Sequence, residues 1–225
     1  MGMTLDPKAM GQGTGAAAPL PLIALLQVAA ANGFATWWAV RSGWPLLMLV
    51  IPFWIQSVVI GWFYRRRILA LQRFCTDGFQ IDDRPVPETP ETRTTTANFL
   101  AAHYGFFHAV YAILLAAFGF AGSLGATAGL GLADLGSVGG LGALFVFTQH
   151  AEHRRAVAND RGLRPNIGAM LFLPYVRVVP MHLMILIGAA MGSGAGAIVV
   201  FGVLKSAADA LMLVLEERLV AKSSS

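Results

Sequence analysis

The stretch WPLLMLVIPFWIQSVVIGWFYRRR, residues 44–67, decides the reading of this chain. From Trp44 to Tyr64 it carries no charge. At ~1.5 Å of rise per residue, such a run crosses a ~30 Å hydrocarbon core as a single helix. Arg65, Arg66 and Arg67 then stop it, and the spacing of Ile68, Leu71 and Phe74 predicts an amphipathic extension of the same helix. Trp37, Trp38, Trp44, Trp62 and Tyr64 lie near the ends of this run and the one before it. Amphipathic rings settle there, at a membrane interface.

Working outward, the same pattern predicts an all-α polytopic membrane protein, a single six-helix bundle over 19–218. Its spans fall at about 19–40, 44–64, 95–121, 136–156, 167–191 and 197–215, between a flexible N-terminal tail (1–18) and a short C-terminal tail (219–225). The polar stretch Asp77 to Arg93, broken by Pro85, Pro87 and Pro90, reads as a loop without regular structure. A turn is expected around Asp134 and a second basic loop over 152–165. No repeat of 20 to 50 residues is visible. Continuous rather than alternating apolar runs exclude a β-barrel.

Composition agrees. Hydrophobic residues make up 56% of the 225 and DEKR only 12%, too little polarity to coat a water-facing surface. Disorder, a secreted disulfide scaffold and an ordinary cytosolic enzyme are excluded. The lone Cys75 rules out an internal disulfide and any Cys-rich metal site. The net charge of +4 is topological rather than a nucleic-acid signal, because the basic residues lie in short segments between apolar runs. With both termini cytoplasmic, the inside segments hold Lys8, Arg65, Arg66, Arg67, Arg73, Arg84, Arg93, Arg154, Arg155, Arg161, Arg164, Arg218 and Lys222, and the outside turns hold only Arg41. That bias follows the positive-inside rule.

The candidate chemistry lies in ionisable residues inside the spans, which are expensive there and so mark function by default. Counted along the helices, His103, His150 and Arg177 lie roughly 12, 9 and 14 Å from the cytoplasmic boundary, and His108 and His182 roughly 20 and 21 Å. Imidazoles converging from three helices suit zinc, copper, iron or an axially ligated haem. His103 and His108 sit about 140° apart on their helix, so two adjacent sites, or one ligand and one supporting residue, fit better than a shared ion. The blander reading of each histidine is a hydrogen bond to a neighbouring helix. His153, in Glu152-His-Arg-Arg155, reads as solvated at the interface. Arg177, between Pro174 and Pro180, is an anion-binding or supporting candidate together with Tyr104 and Tyr175. Lys205 and Asp209, four apart on the last span, are expected to pair. The five histidines include no adjacent pair, which argues against membrane di-iron desaturases, and no His-Glu-x-x-His, nucleophile elbow or P-loop is present.

The run Ile55–Gly61, the segment His103-Tyr-Gly-Phe-Phe-His108, and Pro174-Tyr-Val-Arg177 followed by Met181-His182 resemble a family of bacterial integral membrane proteins classed as a domain of unknown function. The likeness covers about residues 44 to 190, and the family's typical histidine near the end of the fourth span corresponds to His150. It implies a multi-pass protein of a bacterial inner membrane and singles out the same His and Arg, without supplying a reaction. The function expected from the sequence is binding of a metal ion or haem by His103, His108, His150 and His182, supported by Arg177. The alternatives are a small transporter or channel with a path past Arg177, Lys205 and Asp209, and a structural or lipid-binding subunit. The partners expected are the lipid bilayer and a homo-oligomer or larger membrane complex, not nucleic acid.

Overall fold

Helix α1 (Leu22–Arg41) ends at Gly43, whose positive φ of 63° lets the chain reverse within three residues. There the Ser42 N–H donates to Trp38 O and the Trp44 N–H to Ala39 O. The chain then enters α2 (Leu47–Ala70), which carries Pro52 in its second turn. The structure, a computed structural model, describes residues 3–5, 22–121, 132–176, 178–179, 182–183 and 194–223. Strands β1 (Met3–Leu5), β2 (Phe79–Ile81) and β3 (Arg84–Pro85) form a small antiparallel sheet in that order. Helices α3 (Pro90–Phe120), α4 (Leu132–Asp160), α5 (Ile167–Phe172) and α6 (Ala195–Ser223) complete the described elements.

Among the described residues, four helices are long and apolar enough to cross a membrane: α1, α2, Pro90–Ala117 of α3 and Ala195–Arg218 of α6. Their outer faces carry large exposed apolar side chains, among them Leu26, Phe34 and Trp37 on α1 and Phe106, Ile113 and Phe120 on α3. Apolar surface of that extent is rare on a soluble monomer. The region read as the fourth span lies within α4, whose second half carries Glu152, Arg154 and Arg155. The region read as the fifth span starts as α5, which ends just before Pro174, and Arg177 lies outside the described residues.

The helices fall into two groups. α2 packs against α3 and α4, and α5 closes on α2 and α3, while α1 packs chiefly along α6. The groups meet where Phe53 presents its ring edge-on to Phe201 at 5.6 Å. At two places the helices come together on a glycine. A methyl group on Gly61 would collide with the Tyr104 ring, and one on Gly202 would collide with Thr36.

The stretch from Asp77 to Arg93 is not the unstructured loop its prolines predict. Asp82 and Asp83, at φ 49° and 60°, make the two-residue turn of a hairpin that pairs Ile81 with Arg84. Both central residues at positive φ describe the type I′ geometry that matches strand twist, and Asp tolerates it. Pro85 sits at the last position of the edge strand, where its missing N–H costs little. Met3–Leu5, within the segment read as a flexible tail, pairs with the other side of β2.

Two further expectations are corrected. α2 ends at Ala70, where Leu71 turns extended, so the helix does not continue to Phe74. α4 begins at Leu132, so Asp134 lies in a helix rather than a turn.

The two polar loops are tied together. The Cys75 N–H donates to Pro165 O and the Ile167 N–H to Cys75 O, both at 3.0 Å. Asn166 donates its amide to Asp77 O at 2.8 Å and caps α5 by accepting from Ala169 N–H at 2.9 Å. Burial, with the Asp77 carboxylate alongside, pushes the Cys75 thiol up from its ordinary range. Thr89 caps α3, with Pro90 at its first position. The loops after α2 and after α4 therefore share one end of the bundle, marked by Arg65–Arg67.

Candidate functional site

Two polar clusters lie among the apolar helices. The first joins α1 to α6. Lys205 and Asp209 stand one turn apart on α6, and Lys205 Nζ donates to Asp209 Oδ2 at 2.6 Å, so the pairing expected from their spacing is present. The sequence reading did not include Asn32, which joins them from α1. Its Oδ1 accepts from Lys205 Nζ at 2.9 Å and its Nδ2 donates to Asp209 Oδ2 at 3.0 Å. Lys205 Nζ also lies 5.5 Å from the centre of the Phe53 ring. The Lys205 and Asp209 side chains are 18% and 11% exposed. Asn32 is ten residues from the start of α1 and nine from its end, so the triad sits roughly 15 Å from either end of that helix. Its close approach follows from Gly202, three residues before Lys205, against Thr36, four after Asn32.

The second cluster joins α2 to α3 and is neutral. His108 Nδ1 lies 2.9 Å from Tyr104 O, a carbonyl that only accepts, so the network assigns the ring proton to Nδ1. Nε2 then accepts from Ser57 Oγ at 3.0 Å. The Tyr104 hydroxyl lies 2.7 Å from Ser57 Oγ and donates to Ser57 O at 3.0 Å. Trp54 Nε1 donates to His108 O at 3.1 Å. Ser57 is fully buried, His108 is 4% exposed, and both imidazole nitrogens are engaged. This arrangement holds two helices together, and an ion could reach His108 only by displacing Ser57.

The remaining histidines have separate partners. The His103 ring stacks on Phe99, and its Nδ1 lies 2.8 Å from the Tyr175 hydroxyl on the chain after α5. His182 Nδ1 lies 3.4 Å from the Tyr111 hydroxyl. His150 is exposed beside Phe63. His153 is half-buried with its ring 5.0 Å from that of Phe63, not solvated as its charged neighbours predict. Of the two depth layers, the deeper pair meets a common ring, His108 and His182 lying 6.0 and 6.2 Å from Tyr111, while His103 turns to Tyr175 and His108 also to Ser57. Among the described residues no group of three or more His, Cys, Asp or Glu is arranged to hold a metal ion.

At the Arg65–Arg67 end, Arg67 grips Asp160 with two hydrogen bonds, Nε to Oδ2 at 2.7 Å and Nη2 to Oδ1 at 2.9 Å. Tyr64 donates its hydroxyl to Glu216 of α6. Beside them opens a cavity of about 150 Å³ between α2, α4 and α6. Asn32, Ser57 and Glu216 were missed by sequence reasoning. For Asn32 the available signal was an amide near the middle of a largely apolar helix that carries Gln27 as its other amide.

The chain matches no curated protein and no solved structure. Over residues 15–225 it matches the model of a family of unknown function, DUF6498, and it belongs to that family.

Proposed function

We propose that this chain is a small six-span transporter of a bacterial inner membrane, with both termini and both basic loops cytoplasmic. We further propose that the Asn32–Lys205–Asp209 triad is its ion- or proton-coupling site. The observation that carries the reading is the triad itself, an ion pair with an amide partner at mid-depth of an apolar helix. Coupling sites of secondary transporters lie at that level, near the meeting of two helix groups. A proton or cation delivered to the Asp209 carboxylate competes with Lys205 for the same oxygens, releasing the ammonium toward Asn32 Oδ1 and the Phe53 ring. Phe53 belongs to the other helix group, so the occupancy of Asp209 bears on how the groups dock.

The test is proton or cation flux in sealed vesicles containing the purified protein and an internal pH dye. Wild type should dissipate an imposed gradient, and Asp209→Asn, which keeps the shape and removes the charge, should not. Wild-type vesicles indistinguishable from protein-free ones would refute the transport reading.

One observation favours the metal or haem reading as a second. His103 and His182 each face a tyrosine hydroxyl through Nδ1, leaving Nε2 on an exposed face. Ligating histidines are commonly held that way by an outer partner, here Tyr175 and Tyr111. The remaining ligands would come from a second copy of the chain or from a haem. Elemental analysis and a visible spectrum of detergent-purified protein decide it. A Soret band, or zinc, iron or copper near one per chain, supports it, and a colourless, metal-free protein ends it.

A further inference from the structure

We infer that the groove between α2 and α4, on the flank turned from α6, binds the headgroup of an anionic phospholipid in the leaflet at the Arg65–Arg67 end. The inference needs α2 in the membrane but stands apart from the transport reading, because it concerns binding alone and rests on different residues. The two helices run side by side in the same direction: Ile55 lies against Gly142, Phe63 against His150 and His153, and Arg67 against Asp160. Each carries an exposed stripe at four-residue spacing, which is one face of a helix. On α2 the stripe is Val58, Trp62 and Arg66, and on α4 it is Val146, His150 and Arg154. Both pass from an apolar side chain through an amphipathic ring to a guanidinium, in the same order along the bundle. A phospholipid presents its parts in that order, with acyl chain, interface and then phosphate.

The two stripes border one groove. Gln149, Glu152 and Ala156 lie on the other flank of α4, where they line the cavity toward α6, so His150 and Arg154 are turned from it. Arg66 and His150 both bear electrostatically on His153, whose ring rests against Phe63, which gathers these groups around one point. The charge gathered there is positive. Among the described residues neither Arg66 nor Arg154 has a hydrogen-bond or ion-pair partner. Neighbouring guanidiniums differ: Arg65 donates to Asn98, Arg67 is gripped by Asp160, and Arg164 pairs with Glu88. The acids of this end are engaged elsewhere, Asp160 on Arg67, Glu216 on Tyr64 with its charge bearing on Arg67, and Glu152 on Gln149 at the cavity flank. Guanidinium donors and an imidazole N–H complement the oxygens of a phosphodiester. Two guanidiniums without a paired carboxylate select a headgroup of net negative charge over a zwitterionic one, whose ammonium they would repel. The exposed Val58 and Trp62, above Arg66 on the same face, give the acyl chain a surface that a free phosphate would not use.

The experiment is native mass spectrometry of the full chain, purified in detergent and stripped of lipid, then titrated with dioleoylphosphatidylglycerol and in parallel with dioleoylphosphatidylcholine. Wild type should take up phosphatidylglycerol saturably and at concentrations well below those needed for phosphatidylcholine. An arginine near the membrane surface is worth about fivefold in affinity for an anionic lipid. Arg66→Gln combined with Arg154→Gln should therefore weaken phosphatidylglycerol binding about twenty-five-fold. The charge-matched control, Arg73→Gln combined with Arg84→Gln, removes two exposed arginines outside the groove and should bind as wild type does. Should the first pair fail to purify, Arg154→Gln alone, at an exposed position of α4, should weaken binding about fivefold. Inorganic phosphate at the concentration of the lipid should leave the bound lipid in place, and displacement by it would make the groove a site for free phosphate and overturn the assignment to a lipid. Equal affinity of wild type for the two lipids, equal loss in the two double variants, or unchanged binding in the groove variants would also overturn the inference.

Discussion

Between α1 and α6 the polar groups that meet are charged, Lys205 and Asp209 with the amide of Asn32. Between α2 and α3 they are neutral, a serine, a tyrosine and an imidazole. The backbone device is the same in both. A glycine, Gly202 or Gly61, lets a partner side chain reach the helix surface one turn or less from the polar contact. Small residues at helix interfaces allow such approach, and polar side chains then bond across it. The chemistry placed on that device separates the two regions. In the neutral cluster the hydrogen bonds engage both nitrogens of His108, so it acts as glue. The charged cluster can be rewritten by one proton or one cation at Asp209, and it stands where the two helix groups meet. The function is therefore sought in the α1/α6 pair.

The comparison breaks most sharply if one half of the ion pair is removed. Asp209→Ala leaves the Lys205 ammonium buried and without its carboxylate, a loss of about 3–5 kcal/mol for buried pairs. Lys205→Met combined with Asp209→Leu removes both charges and should recover most of that loss. Thermal melts in detergent check both. A single variant as stable as wild type would show that the pair is not a buried one.

Next in size are the two close approaches. Gly202→Val and Gly61→Val each force a branched side chain into Thr36 or the Tyr104 ring, and overpacking of that kind costs about 1–3 kcal/mol. Gly202→Val should also abolish vesicle flux, because it pushes Asn32 off Lys205. Gly61→Val should lower stability and leave the flux of surviving protein near wild type. Equal loss of flux in both would erase the functional distinction between the regions.

The long apolar helices were legible because uncharged runs stopped by arginines carry a one-dimensional signal, as in residues 44–67. The Lys205–Asp209 pair was legible for the same reason, since a four-residue spacing on a helix is a contact. Asn32 was not, because one amide in α1 says nothing about which helix it faces. Depth counting supplied one coordinate where three are needed. It grouped His103 with His150, while rotation about α3 turned His103 toward Tyr175 on an exposed face and His108 into the core against Ser57. The hairpin escaped because Asp82-Asp83 lacks the Asn-Gly signature of its turn, and the neighbouring prolines outweighed the short β-like run Phe79–Ile81.

Two smaller substitutions sharpen the neutral side of the comparison. Ser57→Ala removes the hydroxyl between His108 Nε2 and the Tyr104 hydroxyl; the phenol keeps Ser57 O as its acceptor and the buried His108 Nε2 must find a new partner, at a cost of about 1–3 kcal/mol.

Tyr104→Phe should do the least. The ring stays against Gly61, so packing is kept, and Ser57 still donates to His108 Nε2. The Tyr104 carbonyl that receives His108 Nδ1 belongs to the backbone and is untouched. The phenol's bonds to Ser57 disappear, and the serine hydroxyl loses a partner rather than its role. Side-chain hydrogen bonds between membrane helices average about 0.6 kcal/mol, and the loss should lie near that figure. In a thermal melt the variant should fall between wild type and Ser57→Ala, with vesicle flux unchanged. A Tyr104→Phe variant as damaged as Ser57→Ala would mean that the phenol, not the serine, organises the cluster. Loss of flux at full stability would place a mobile proton in the α2/α3 network and move the functional site across the bundle from α6.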